Sequence, residues 1–282
     1  MGKLEKKSIC LLDGTNILYS FLDFLGCSDR KKRNASPRKI YDRLDFEIVD
    51  FINKRVWIRG TEVYAVFDTS IYTFRQKIYP GYKAHKFNST EYLPTEYLFL
   101  EELKYLKRIF KSVGVKIIDT PLGYESDDVI ATLSKLAKKE FDFVHIFSND
   151  NDLIRLRDRT TRVYRLYKNQ KLSTRRKAFI GVQIFKYCDQ HEQLTTEQLT
   201  QVKALTGDRN DNIPGIFDWE TAYNMIKKFK SIEGALGNID KVRDTDPIAS
   251  IKLKNNIEQI LINLKLVELK TDVNIKEPWK NN

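Results

Sequence analysis

Acidic side chains gather in five short clusters along this sequence of 282 residues. Their members are Asp13, Asp68, the group Glu125, Asp127 and Asp128, the pair Asp150 and Asp152, and the pair Asp208 and Asp211. Four clusters follow an apolar run that favours a β-strand, in a chain whose formal net charge is +11. Clustered carboxylates repel one another unless a cation neutralises them, and hard oxygen ligands suit Mg²⁺ or Mn²⁺. The pattern therefore indicates a site for divalent metal ions.

Such a group of acids can hold two divalent ions about 4 Å apart, one activating water and the other stabilising the leaving oxygen. This arrangement predicts hydrolysis of phosphodiesters. No Ser or Cys nucleophile competes, because the three histidines, His85, His145 and His191, are dispersed, and no Gly-rich phosphate loop precedes a helix. Each cluster alone could simply cap a helix or make a turn. Five clusters at one edge of one sheet favour the metal site.

Short β-rich runs alternate with helical patterns over the first two thirds of the chain. Strands are predicted at 9–12, 63–67, 115–118 and 143–147, and helices at 40–58, 94–113 and 126–139. The alternation predicts an α/β fold with a parallel sheet. The C-terminal ends of parallel strands lie at one edge of the sheet, so Asp13, Asp68 and Asp150 should lie close together there. From about Gln190 the strand signal fades and a smaller helical region is expected.

The composition indicates what kind of partner and which cellular compartment to expect. Lys and Arg total 49 against 38 Asp and Glu, which favours an anionic partner. The three cysteines are scattered, so neither a disulfide framework nor a zinc spacing is present and a reducing cytosol is expected. No apolar run has the length of a membrane span, and the first residues lack a signal-peptide core. We expect a cytoplasmic protein with no membrane partner.

Two basic tracts indicate what the site cleaves. Residues 71–90 contain no acid, and their basic side chains alternate with aromatic rings, a mixture typical of surfaces that bind single-stranded nucleic acid. A solvated loop with some rings packed inward is the alternative. The second tract, 155–177, has ten basic residues and one acid, Asp158. We interpret it as a phosphate-binding track, with an amphipathic edge strand as the alternative.

Seven segments together resemble the 5′-nuclease (flap endonuclease) family, which includes the 5′-nuclease domain of bacterial DNA polymerase I and bacteriophage 5′-exonucleases. They are Leu11–Gly14, Phe67–Asp68, Phe74–Ala84, Gly123–Ala131, Ser148–Leu153, Ala204–Gly215 and Asn263–Val273. Their order and spacing span nearly the whole chain and are far more specific than any one motif. The resemblance implies a PIN-like nuclease core at 1–189 with a helical arch at about 70–112. It also implies a helix-three-turn-helix region at 190–282 that binds duplex DNA.

The resemblance also implies a role for each matching residue. One metal cluster would be surrounded by Asp13, Asp68, Glu125, Asp127 and Asp128. The other would be served by Asp150, Asp152 and Asp211, with Asp208 close by. Lys83 matches the lysine at the arch base that meets the scissile phosphate, and with Asp127 and Asp150 it makes up the expected catalytic set. The expected nucleic-acid contacts are Arg75, Lys77, Tyr82, Lys83, Lys86 and Gly215.

Departures from the family pattern concentrate after Gly215. The family has a Gly-rich hairpin followed by Lys-Thr-Ala, which holds duplex phosphates and often a K⁺ ion. Here residues 215–222 are two residues shorter, lack the later glycines and place Glu220 at the lysine position. We therefore expect weaker anchoring of duplex and no K⁺ requirement. Lys86 replaces a usual arginine, which keeps the charge but loses bidentate phosphate geometry.

The predicted function is a 5′-3′ exonuclease and flap endonuclease that hydrolyses DNA with two or more Mg²⁺ or Mn²⁺ ions. The expected substrate is DNA with a 5′ single-stranded flap or end, or an RNA–DNA hybrid at a primer. The chain is expected to be a monomer that acts in replication or recombination, with an unspecified replication partner. It resembles a stand-alone bacteriophage enzyme, and if it is phage-encoded it is expected in the host cytoplasm. Two alternatives are a PIN-type endoribonuclease and a nucleic-acid-binding relative without catalysis. The number of acids disfavours both.

Overall fold

The computed structural model describes residues 6–26, 37–70, 72–84, 103–168, 180–184 and 194–280. These residues form two compact units. The first comprises Met1–Ile71, Leu93–Phe185 and Lys270–Asn282, and the second Tyr72–Tyr92 and Lys186–Leu269, each within the described residues. The compact units therefore differ at two segments from the predicted division along the chain at residue 190. Within the described residues, no helix is both long and apolar enough to cross a membrane.

A six-stranded sheet forms the centre of the first unit, with strand order β3-β2-β1-β4-β5-β6. Its strands are β1 (Ser8–Asp13), β2 (Glu62–Phe67), β3 (Lys116–Asp119), β4 (Phe143–Phe147), β5 (Thr161–Lys168) and β6 (Ile180–Ile184). The first five pair in parallel, and β6 is antiparallel to β5 at the edge. The prediction of an α/β fold with a parallel core is confirmed. Of the two further strands, β5 was only an alternative interpretation of the second basic tract, and β6 was not predicted.

The described helices are numbered in chain order. They are α1 (Gly14–Phe24), α2 (Pro37–Phe51), α3 (Phe74–Ile78), α4 (Ser126–Ala137), α5 (Thr196–Thr206), α6 (Trp219–Phe229), α7 (Ile232–Gly237), α8 (Ile239–Thr245), α9 (Pro247–Asn255) and α10 (Ile257–Val267). A π-helical turn, Ile52–Val56, extends α2, and a 3₁₀ turn covers Asp152–Leu156. Residues 103–112 are also helical, but 85–102 in the predicted arch, including Lys86, lie outside the described residues.

Burial on both faces explains why the central strands read as unbroken apolar runs. Every residue of β1 is buried, and all but the first of β2 and β4 are buried as well. Parallel strands covered by helices on both sides have no solvent face that would select polar residues. His145 in β4 is 5% exposed and its Nδ1 lies 3.1 Å from the Tyr164 hydroxyl. It is thus a hydrogen-bonded core residue.

The second unit is helical and has its own apolar core. That core brings residues of α5, α6, α9 and α10 together, and Tyr82 from the segment after α3 joins it. The fully buried Asn263 on α10 donates from its Nδ2 to the carbonyls of Ala204 (2.8 Å) and Pro214 (2.7 Å). These two bonds fix α10 against the end of α5 and the loop that follows it.

Arg75 has a different role from the predicted nucleic-acid contact. It is 2% exposed, its Nε donates to the carbonyl of Leu266 (2.8 Å), and its Nη2 donates to the carbonyl of Glu268 (3.1 Å). These carbonyls lie at the C-terminal end of α10, where the helix dipole also stabilises a positive charge. Arg75 therefore caps a helix inside the second unit.

Replacing Arg75 should destabilise the protein through this cap. Arg75→Met leaves two carbonyls without their donor, and we expect a loss of about 2–3 kcal/mol in the free energy of unfolding. Urea denaturation followed by circular dichroism measures it. The control is Lys77→Ala on the same helix, because Lys77 is exposed and should leave stability near wild type. Equal stability of the two variants would contradict the capping role.

Candidate metal centre

Three predicted ligands stand at neighbouring strand ends. Asp13 is the last residue of β1, Asp68 directly follows β2, and Asp150 follows β4 by three positions. Because β1 lies between β2 and β4 in a parallel sheet, the three acids share one edge. The predicted convergence of these three residues is thus present in the first unit.

Asp13 is held in place by the end of β4. Its carboxylate is 3% exposed and accepts hydrogen bonds from the Ser148 hydroxyl (2.7 Å) and from the Asn16 N–H (3.2 Å), which makes it the N-cap of α1. The same Ser148 oxygen accepts the Asp150 N–H at 2.9 Å. Ser148 therefore links Asp13 to the backbone of Asp150.

Asp68 is held by the first residue of α4. The Ser126 N–H donates to its Oδ1 at 2.7 Å, and the Ser126 hydroxyl donates to its Oδ2 at 3.2 Å. A carboxylate at a helix N-terminus is also stabilised by the helix dipole. The Ser126 hydroxyl is thus a second donor to the same carboxylate, beside the Ser126 N–H.

Asp127, Asp150 and Asp152 form a group of carboxylates in the first unit, each of which offers an oxygen within 4.8 Å of the others. Asp127 comes from the first turn of α4, and the other two come from the turn after β4. The Asp152 N–H donates to Asp150 Oδ1 at 2.7 Å, which fixes the orientation of that side chain. Carboxylate oxygens gathered at this separation are the ligand type that hard divalent cations prefer.

Burial and mutual repulsion make these acids hard to ionise in the metal-free protein. Burial raises the pKa of Asp13 to about 7, a rise that the Ser148 hydrogen bond opposes and the Asp68 charge increases. Burial is also the main cause that raises the pKa of Asp127 well above its ordinary value, and the charges of Asp150, Asp13, Asp152 and Glu125 raise it further. A bound cation would reverse both effects, so the donor set fits a divalent metal.

Arg155 accompanies the acids as a buried cation. It is 6% exposed, its Nε donates to the Asp152 carbonyl at 3.1 Å, and its Nη2 lies 3.6 Å from the Asp152 carboxylate. It therefore supports a predicted ligand, and a phosphate contact by Arg155 stays a prediction. The strand β5 in the same tract pairs on both sides, so it is not an edge strand, and residues 169–177 lie outside the described residues.

The carboxylate of Asp128 makes different contacts from that of its neighbour Asp127. It is fully buried, and its two oxygens accept the backbone N–H groups of Glu125 (3.2 Å) and Lys270 (2.9 Å). The resemblance to the 5′-nuclease family implied that both Asp127 and Asp128 surround one metal cluster. The contact with Lys270 could not be predicted from local sequence, because the two residues are 142 positions apart.

The remaining predicted acids belong to the second unit. Asp208 forms an ion pair with Lys203 (2.9 Å). Asp211 lies 3.8 Å from Lys83 Nζ and accepts a 3.3 Å hydrogen bond from the Tyr82 hydroxyl. Their participation in a metal site stays a prediction.

Two of the predicted nucleic-acid contacts look different in the structure. Tyr82 is 2% exposed and its ring belongs to the core of the second unit, so its contact with nucleic acid stays a prediction. Gly215 approaches the end of α5 so closely that an added Cβ would lie 2.2 Å from the Thr206 carbonyl oxygen. Packing therefore requires glycine at this position, independently of any contact with nucleic acid. Lys77 is exposed and Lys83 half-buried, so both remain accessible cations.

Comparison with known proteins identifies the family. The model of the 5′-3′ exonuclease N-terminal resolvase-like domain matches residues 8–183, and that of the 5′-3′ exonuclease C-terminal SAM fold matches residues 194–281. The chain belongs to the 5′-3′ exonuclease family. It is therefore a nuclease, as the sequence predicted.

Individual relatives agree with this assignment. The 5′-3′ exonuclease of Buchnera aphidicola subsp. Acyrthosiphon pisum is 27% identical over 283 residues, which cover 98% of this chain and 91% of the relative. The thermostable DNA polymerase I of Thermus thermophilus is 32% identical over 213 residues, covering 75% of this chain but 23% of the polymerase. The chain thus matches less than a quarter of that enzyme.

A solved structure shares the fold. The bacteriophage T5 flap endonuclease, in a pseudo-enzyme-product complex with DNA and metal ions, superimposes with a TM-score of 0.65 and 22% identity. The match covers 94% of this chain and 90% of the T5 protein. The likeness supports the predicted combination of a PIN-like sheet unit with a helical C-terminal region.

The raised pKa of Asp13 predicts how the stability of the metal-free protein depends on pH. Between the ordinary pKa of 3.8 and about 7, the folded state holds a proton on Asp13 that the unfolded state has lost. Stability from this group is therefore lost as pH rises through that window. Divalent metal should restore it, so Mg²⁺ or Mn²⁺ should raise the melting temperature more at pH 8 than at pH 5.

The contribution of Asp13 can be isolated with Asp13→Asn, since Asn also caps helices. This variant controls for His145, whose lowered pKa of about 4 gives the opposite pH dependence in the acid range. In chelator, thermal melts at pH 5 and pH 8 should show a larger fall in melting temperature for wild type than for the variant. An identical fall in both proteins would contradict the assignment.

Proposed function

We propose that this nuclease uses two or more divalent ions, Mg²⁺ or Mn²⁺, to remove 5′ ends and 5′ flaps from DNA. The observation that carries the proposal is the convergence of Asp127, Asp150 and Asp152 beside the buried Asp13, in a chain of the 5′-3′ exonuclease family. The name of the T5 relative, a flap endonuclease crystallised with DNA and metal ions, supports the choice of substrate.

The acids of the first unit would hold the metal. Asp127, Asp150 and Asp152 form its nearest donor group, while Asp13, Asp68 and Glu125 complete the surrounding negative charge. When bound, the ions would activate water and stabilise the leaving oxygen of the phosphodiester. The protein contributes fixed geometry, because Ser148 and Ser126 hold Asp13 and Asp68 by hydrogen bonds of 2.7 Å.

Lys83 is the proposed cation for the scissile phosphate. Its backbone adopts a left-handed conformation with φ of 53°, and its N–H donates to the Asp211 carbonyl at 2.9 Å. Its ammonium lies 5.0 Å from the centre of the Tyr82 ring and 3.8 Å from the Asp211 carboxylate. A positioned cation of this kind stabilises the charge that develops on phosphate oxygens in the transition state.

Several finer assignments remain part of the proposal. We propose that the protein acts as a monomer in the cytoplasm, the host's if it is phage-encoded, during replication or recombination, and that it also removes RNA paired with DNA. We further propose that K⁺ has little effect. The exposed Glu220 in the first turn of α6 supports weaker duplex anchoring, since a carboxylate there repels phosphate.

Cleavage of a 5′-labelled flap duplex tests the function. We expect activity with Mg²⁺ or Mn²⁺ and none with chelator, and we expect Asp150→Asn to lower turnover by at least about 1,000-fold, because one charged ligand is lost. DNA binding by this variant should be unchanged or tighter, since a repelling charge is removed. Turnover near wild type would refute the metal assignment. A labelled RNA flap serves as control, because preference for it would favour the endoribonuclease alternative.

A pair of lysine variants tests the role of Lys83. Lys83→Ala should lower kcat by about 10²–10³-fold with a small change in KM, because the cation acts on transition-state charge. Lys77→Ala should mainly raise KM, since an exposed lysine on α3 contributes general attraction to phosphates. Single-turnover kinetics separate the two effects. The same pattern in both variants would show that Lys83 has no special position.

A further inference from the structure

Asp128 is a predicted ligand in the first unit whose carboxylate contacts residues near the C-terminal end of the chain. Its Oδ2 accepts the N–H of Glu125, the residue before α4, and its Oδ1 accepts the N–H of Lys270. Its exposed fraction is 0%. Charge-assisted hydrogen bonds of this kind are among the stronger ones in proteins, and a buried N–H that loses its acceptor is costly.

Helix geometry separates Asp128 from Asp127. Successive residues on a helix point about 100° apart, so the two carboxylates face different directions. Asp127 lies with Asp150 and Asp152, whose charges raise its pKa. Asp128 instead faces the backbone of residues 125 and 270.

The contact at Lys270 is continued along the same face of α4. Thr132, one turn after Asp128, donates its hydroxyl to the Lys270 carbonyl and accepts the Val273 N–H, both at 3.2 Å. Lys135, a further turn on, lies 3.3 Å from the Thr271 hydroxyl. Residues 128, 132 and 135 have the spacing of one helix face. We call residues 270–273 the C-terminal segment.

We propose that Asp128 is a positioning residue for the nuclease reaction. It fastens the C-terminal segment to the N-terminus of α4 and thereby fixes the turn that presents Glu125 and Asp127, without binding metal itself. The inference rests on the proposed metal-dependent function for its catalytic consequence. Partners that orient metal ligands typically change metal affinity or activity by about 10–100-fold when they are removed.

The neighbouring variants Asp127→Asn and Asp128→Asn give a matched comparison. In chelator, Asp128→Asn should lower the melting temperature by about 4–8 °C, because an amide cannot accept both N–H groups. Asp127→Asn should leave it unchanged or raise it, since one repelling charge is removed. In calorimetric titration with Mn²⁺, Asp128→Asn should keep the number of ions bound by wild type, whereas Asp127→Asn should lose at least one ion.

Thr132→Val tests the same contact without touching any carboxylate. Valine matches the shape of threonine but removes both hydrogen bonds to the C-terminal segment. We expect a melting temperature lower by about 2–4 °C in chelator and flap cleavage slowed about 3–10-fold, with the number of bound Mn²⁺ ions unchanged. This variant keeps the inference testable if Asp128→Asn does not fold.

Two results would overturn the inference. One is an Asp128→Asn protein with the wild-type melting temperature in chelator and one Mn²⁺ ion fewer, which is the behaviour of a ligand. The other is a Thr132→Val protein that equals wild type in stability and cleavage. Failure of the proposed function would give a different result, because wild type would then bind no Mn²⁺ and cleave no flap. The differences in melting temperature in chelator would still show whether Asp128 holds the C-terminal segment.

Discussion

The burial of carboxylates close to one another is the constraint on which the metal centre of the first unit depends. The strand ends place Asp13, Asp68 and Asp150 at one edge, and burial raises the pKa of Asp13 to about 7. A fold that needed only stability would not gather these acids, because each costs desolvation and each raises the pKa of the next. The arrangement is understandable if their charge is neutralised by cations during function.

The surrounding residues hold the acids against their mutual repulsion. Ser148 bonds Asp13, Ser126 bonds Asp68 through two donors, and Arg155 lies against Asp152. None of these side chains is an acid, so a search for ligands alone does not find them. Their common property is a hydrogen bond or charge directed at a carboxylate, which fixes its orientation before any ion binds. Preorganisation of this kind is what separates a metal site from a cluster of acids.

The sequence predicted the elements whose signals are local. Apolar runs predicted the first four strands, and acids after those runs predicted the edge where Asp13, Asp68 and Asp150 meet. It failed where the outcome depends on distant partners. In the sequence, Arg75 is one basic residue among aromatic residues. The carbonyls to which its side chain donates lie nearly two hundred positions later, at Leu266 and Glu268. The burial of Tyr82 and the pairing of β6 at the sheet edge likewise depend on tertiary packing, which residue types alone do not predict.

The return of residues 270–280 to the sheet unit has a consequence for synthesis on the ribosome. Trp279 packs against Phe141 and Tyr64, and Lys270 bonds Asp128, so this unit contains residues translated after the whole helical unit. Domains generally fold as units while the chain emerges. The sheet can form early, but α4 acquires its contacts with these late residues only when they have left the exit tunnel. A nascent chain would thus carry all the acids of this unit before it carries the Lys270 N–H that Asp128 accepts.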